Sequence, residues 1–168
     1  MTLRTGVRFA AIAVGLLLLA SGMLTAYVAA TWNRRYDFPF PTVSASSDPE
    51  VIRRGEYLVF GAAHCPACHA SQAGDFLRVP DGERMPLVGG VPFSLGPLGV
   101  VYPGNLTPDL ATGIGRYTDG QVARLLRYGV LPDGRAAINA TMPYGDMSDD
   151  DLRAIVSYLR SQPPIAVG

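Results

Sequence analysis

Two cysteines and two histidines are the chain's whole supply of thiol and imidazole groups, and all four fall within His64–His69. The run Cys65-Pro66-Ala67-Cys68-His69 has the spacing at which two thiols add to the vinyl groups of one haem while the next residue ligates its iron. A structural zinc site needs four ligands at tetrahedral spacing, and ligands bunched this closely do not supply it. A thioredoxin-like redox pair would place its first cysteine at the end of a strand and at the start of a helix. Here an amphipathic stretch precedes Cys65 and a Gly/Pro-rich loop follows Cys68. The residues therefore point to one covalently held haem, attached through Cys65 and Cys68, with His69 as one axial iron ligand.

What fills the second axial position decides the chemistry: a bound thioether leaves an electron carrier, an open position leaves a catalyst or gas binder. His64 immediately precedes the motif and would lie on the same side of the ring as His69, which disfavours it. Lysine is excluded, because all fourteen basic residues are arginine. Of the five methionines, Met1 and Met23 flank or lie in an apolar N-terminal run, leaving Met85, Met142 and Met147. Met147 precedes Ser148 and suits a hydrophobic staple onto Leu152. Met85 follows His69 closely, so its loop around the ring edge would be cramped. Met142 comes after a full helix, is held by Pro143, and is the expected ligand, with Met85 and Met147 as alternatives.

Several elements must position these groups. Asp48 caps a helix that has Pro49 at its first position and Glu50 in its first turn, with Val51, Leu58 and Val59 as the apolar stripe leading to the cysteines. Gly55 interrupts that helix, which marks either a weak helix or a close backbone approach. Residues 70–118 are dense in Gly and Pro. Such a long loop needs something to pack on, and haem offers Leu87, Val88, Phe93, Leu95, Leu98, Val100, Val101 and Leu106 a surface. Residues 99–102 are expected to pair briefly as a strand. Thr118-Asp119-Gly120-Gln121 reads as a capping box for a three-turn helix ending at Gly129, and Ser148 with Asp149–Asp151 opens a last helix that Pro163-Pro164 stops.

Residues 9–30 are uncharged and long enough to cross a hydrocarbon core, with Trp32 at the interface. The expected division is a cytoplasmic N-terminus at 1–8, a membrane anchor or uncleaved signal at 9–31, a Pro/Ser tether at 32–47, a haem domain at 48–162 and a tail at 163–168. A signal cleaved near Val28-Ala29-Ala30 is the alternative to the anchor. Net charge is zero, with fourteen basic and fourteen acidic residues. Four of the arginines lie in residues 1–35, which contain no acid, so the remainder is acidic. There is no basic stripe for nucleic acid. Docking through a lysine ring is likewise excluded.

The motif and its surroundings resemble small class I cytochromes c, and more narrowly the cytochrome c subunits and domains that accompany bacterial alcohol, aldehyde and similar dehydrogenases. The resemblance spans residues 48–162. It is carried by Arg54-Gly55-Glu56-Tyr57-Leu58, Asn105-Leu106-Thr107-Pro108-Asp109, Thr112-Gly113-Ile114-Gly115, Tyr117-Thr118-Asp119, Leu126-Arg127-Tyr128-Gly129-Val130, Asp133-Gly134, Met142-Pro143-Tyr144 and Met147-Ser148-Asp149-Asp150-Asp151-Leu152. It implies an all-α fold whose first and last helices cross over the haem, with Gly55 at their contact and Met142 as the distal ligand. It also implies that the haem domain faces the periplasmic side of the bacterial inner membrane. Many such subunits carry three haem domains, whereas this chain has one motif.

The function these features imply is single-electron transfer by a membrane-anchored monohaem cytochrome c, with redox proteins, expected to be subunits of membrane-bound complexes, as partners. One alternative is an integral haem subunit of a larger respiratory or dehydrogenase complex; another is an open-site haem sensor or peroxidase. No catalytic residue and no separate metal site are expected. The acidic cluster Asp146 and Asp149–Asp151 reads either as a docking patch or as a dipole-favoured helix start.

Overall fold

The computed structural model describes residues 3–137, 142 and 144–168. The chain forms two units, Met1–Tyr36 and Asp37–Gly168. The first is built on α1 (Leu3–Thr31), which begins ahead of the apolar run so that Arg4 and Arg8 lie on its first turns. Its segment Thr5–Thr31 has a mean hydropathy of 2.2 and is long and apolar enough to cross a membrane. At 1.5 Å per residue such a helix exceeds the ~30 Å of a hydrocarbon core. Two of its polar side chains are satisfied internally: the Thr25 and Thr31 hydroxyls donate to the carbonyls of Ser21 and Tyr27, at 2.9 and 2.8 Å.

The second unit contains α2 (Pro49–Phe60), α3 (Pro66–His69), α4 (Asp119–Tyr128) and α5 (Asp149–Ser161), with short 3-10 turns at Asp75–Asp81, Gly96–Leu98 and Ile114–Arg116. The only strands among the described residues are β1 (Phe93–Ser94) and β2 (Val100–Val101), antiparallel with Phe93 opposite Val101. The expected strand is thus present but two residues long. Helix ends follow the side chains. Asp48 accepts from the Glu50 N–H, Thr118 and Gln121 form a complete capping box, Ser148 accepts from the Asp151 N–H, and Gly129 closes α4 in the left-handed region. Each such cap contributes about 0.5–2 kcal/mol.

The core forms where α2 crosses α5. Leu58, Val59 and Phe60 meet Leu152, Ile155, Val156 and Leu159, all buried, and each contributes about 1.5–3 kcal/mol by leaving water. Gly55 makes the crossing: a Cβ there would lie 1.9 Å from the Ala154 carbonyl oxygen and 2.7 Å from the Tyr158 Cβ. Neither neighbour is a flexible side-chain end. The glycine that weakens α2 as an isolated helix is what brings its backbone against α5.

Residues 38–46 do not form a loose tether. Phe38 stacks on Tyr128 with ring centroids 4.9 Å apart, and the Arg124 guanidinium lies 4.3 Å from the centre of the Phe40 ring. Val43 is buried in the core. The Ala45 N–H donates to Asp119 and the Ser46 N–H to the Ser157 hydroxyl, at 2.7 and 2.8 Å. The aromatic residues that alternate with Pro39 and Pro41 are the cause: they bury surface that a freely moving linker would leave in water. The segment is a strap across α4 and α5.

Candidate haem site

After α2 the chain turns back on itself. The Ala63 N–H donates to Leu58 and the Cys65 N–H to Val59, at 2.9 and 3.0 Å. His64, at φ 49°, occupies the left-handed region that makes this reversal. Its side chain is exposed. Pro66 then starts α3, whose single turn is closed by the His69 N–H donating to the Cys65 carbonyl at 2.9 Å. One turn thereby carries both thiols and the imidazole.

Cys65 is buried and Cys68 half-buried, and the two are not joined in a disulfide. Burial pushes the Cys65 thiol up to about 12, with a smaller upward contribution from Cys68 and an opposing backbone hydrogen bond. Burial raises the Cys68 thiol as well. A redox-active pair needs a depressed first thiol, and this pair has the opposite bias.

His69 is fixed through one ring nitrogen. Its Nδ1 lies 2.8 Å from the Gly104 carbonyl. A carbonyl only accepts, so Nδ1 carries the proton and Nε2 keeps its lone pair, the state a metal-ligating histidine requires. Burial lowers the pKa of His69 and the Gly104 hydrogen bond opposes that shift. The imidazole is therefore held neutral. The donor set fits a haem: two protonated thiols for thioether formation and a neutral imidazole oriented by its second nitrogen.

The Gly104 carbonyl is itself held by backbone. The Gly89 N–H donates to the His69 carbonyl, the Gly90 N–H to Pro103 and the Leu106 N–H to Leu87, at 2.8, 3.0 and 2.8 Å. Gly89 has φ +70°, and a Cβ there would lie 2.2 Å from the Pro103 oxygen. Asn105, buried, donates through Nδ2 to the Thr112 hydroxyl and the Ile165 carbonyl, and its Oδ1 accepts from the Thr107 N–H. Asp109 accepts from the Thr112 and Ala111 N–H groups and from the Thr112 hydroxyl. Residues beyond α5 thus tie the loop that positions His69.

The three candidate methionines separate. Met85 is buried in the hydrophobic core, and Met147 packs partly buried against it. Met85 also lines a cavity of about 190 Å³ with Leu87, Leu106, Tyr158 and Leu159. Met142 is half-buried outside that cluster, and its carbonyl accepts from the Tyr144 N–H at 3.0 Å. Its neighbour Pro143 lies outside the described residues. Of the loop residues expected to pack on haem, Leu87 lies in the protein core and Leu106 packs against it, and Phe93, Leu95 and Val100 lie on the hairpin. In the acidic cluster Asp149 pairs with Arg127 and Asp151 with Arg54, at 2.8 and 2.9 Å. Those two carboxylates serve the helix start and its neighbours.

Gly104 and Arg127 carry roles that the side-chain pattern does not announce. Gly104 acts through its carbonyl. Arg127 donates to the Met147 carbonyl at 2.7 Å as well as to Asp149; the signal for it was its place in the last turn of a helix, facing an acidic run.

The crossing of α2 and α5 thus stands beside one turn that carries Cys65, Cys68 and His69 together. No family model matches the chain. It is homologous to cytochrome c subunits of bacterial dehydrogenases. The fructose dehydrogenase cytochrome subunit of Gluconobacter japonicus is 34% identical over 148 residues, covering 86% of this chain and 28% of that protein. The gluconate 2-dehydrogenase cytochrome c subunit of Pantoea cypripedii is 35% identical over 120 residues, covering 69% and 24%. The cytochrome c subunit of the quinone alcohol dehydrogenase of Gluconobacter oxydans (strain 621H) is 35% identical over 125 residues, covering 72% and 23%. The chain spans about a quarter of the length of these relatives.

Proposed function

We propose that this chain is a monohaem cytochrome c that passes single electrons between redox proteins at the periplasmic face of a bacterial inner membrane, anchored there by α1. Haem, when bound, supplies an iron that alternates between ferrous and ferric states. Cys65 and Cys68 would hold it covalently, His69 would ligate the iron through Nε2, and Met142 would complete the coordination. Gly104 fixes the tautomer and aims the ring, while burial keeps the imidazole neutral. The observation that carries this reading is the His69–Gly104 hydrogen bond within a turn that also bears both cysteines. Met142 is favoured because Met85 and Met147 are engaged by the core.

The relatives' names favour assembly into a dehydrogenase complex over a freely diffusing carrier. Purification in mild detergent followed by haem staining tests both parts. A stained band at the mass of the chain plus one haem is expected, migrating with other redox subunits. A chain that takes up no covalent haem would sink the proposal. Migration alone would return the reading to a free carrier.

A further inference from the structure

Resting on the His69/Met142 reading, we propose that Tyr144 is the positioning residue that keeps Met142 available as ligand, by tying the chain just after Met142 to the chain just before the attachment motif. The Tyr144 hydroxyl donates to the Ala63 carbonyl. Ala63 is a rigid anchor: it is buried, its own N–H is bound to Leu58 in α2, and it lies two residues before Cys65. The Tyr144 backbone completes the device. Its N–H donates to the Met142 carbonyl at 3.0 Å and its carbonyl accepts from the Met147 N–H at 3.1 Å. One side chain therefore joins two stretches that are 81 positions apart, one bearing the thiols and the imidazole, the other the thioether. The ring packs half-buried against the core, so its orientation is fixed independently of the hydroxyl.

Arg127 holds only the far end of this turn, through the Met147 carbonyl and Asp149. With the hydroxyl gone, the Met142 end keeps, among the described residues, its short-range bond to Tyr144. The chain then gives up the thioether more readily to a competing ligand, while the α2–α5 core is untouched.

The test compares full-length, haem-loaded wild type, Tyr144→Phe and Tyr158→Phe, the last removing a hydroxyl from a buried tyrosine of α5. The readouts are the weak far-red charge-transfer band of a methionine-ligated ferric haem and its displacement by cyanide. Tyr144→Phe is expected to retain covalent haem and to bind cyanide about two- to tenfold more tightly, the span that one neutral hydrogen bond supports. Tyr158→Phe is expected to match wild type. Equal cyanide affinity in wild type and Tyr144→Phe would overturn the inference alone, as would an equal gain in Tyr158→Phe. Absence of the band in wild type, or its survival in Met142→Ala, would remove the ligand reading and this inference together.

Discussion

The two sides of the candidate haem site are built differently. On the histidine side, backbone meets backbone: Gly89 binds the His69 carbonyl, Gly90 binds Pro103 and Leu106 binds Leu87, the Gly104 carbonyl takes the His69 ring, Asp109 closes the loop on Thr112, and Asn105 fastens it to the chain beyond α5. On the methionine side, two side chains, Tyr144 and Arg127, reach across to hold the segment that follows Met142. Among the described residues, the histidine is held by several backbone contacts and the segment of the proposed methionine ligand by two side chains. Tolerance to change should follow that difference, since several mutually supporting contacts share the loss of one, whereas a pin either holds or does not.

The largest effect should come from Gly89→Ala. The new Cβ meets the Pro103 carbonyl in a left-handed backbone, so overpacking and strain add to about 2–4 kcal/mol. Urea denaturation of the haem-loaded protein measures it, and a loss below about 1 kcal/mol would mean that the histidine side is softer than the backbone contacts imply. Asn105→Ala comes next, leaving the Thr107 N–H without its partner and the Ile165 carbonyl with the Thr107 hydroxyl as its donor. One buried unsatisfied group costs about 1–3 kcal/mol. Cyanide displacement of the thioether should not change in this variant, and a change would erase the distinction between the two sides.

A smaller, pH-dependent effect belongs to Asp109. The Thr112 N–H and hydroxyl hold its carboxyl below the usual value of 3.8. A depressed folded-state pKa makes the contribution complete above the unfolded-chain value and removes it as the pH falls through the lower folded value. Wild type should therefore lose stability on acidification below about pH 4 more steeply than Asp109→Asn. Parallel acid transitions for the two proteins would show that the loop does not depend on that carboxylate.

Much of this arrangement was legible in the sequence because it is written in side chains. Asp48, Thr118, Gln121 and Ser148 cap helices as their types dictate, and Gly55 proves to be the crossing point of α2 and α5. The strap at residues 38–46 was not legible: Pro and Ser suggest a linker, and only the docking of Phe38, Phe40 and Val43 reveals otherwise. The histidine side was harder still. Its contacts are mainly carbonyls and N–H groups of a Gly/Pro loop, which every residue type possesses and no pattern marks. Tyr144 lies between these cases, since its type promises a hydrogen bond but the partner, the carbonyl of Ala63, carries no sequence signal.

The ferric spectrum of the haem-loaded full chain tests the central claim most directly, taken for wild type, Met142→Ala, Met85→Ala and Met147→Ala. Wild type should show the far-red methionine-to-iron band, lost in Met142→Ala and kept in the other two variants. A band that survives in Met142→Ala, or a high-spin wild type that takes up cyanide freely, would contradict the account.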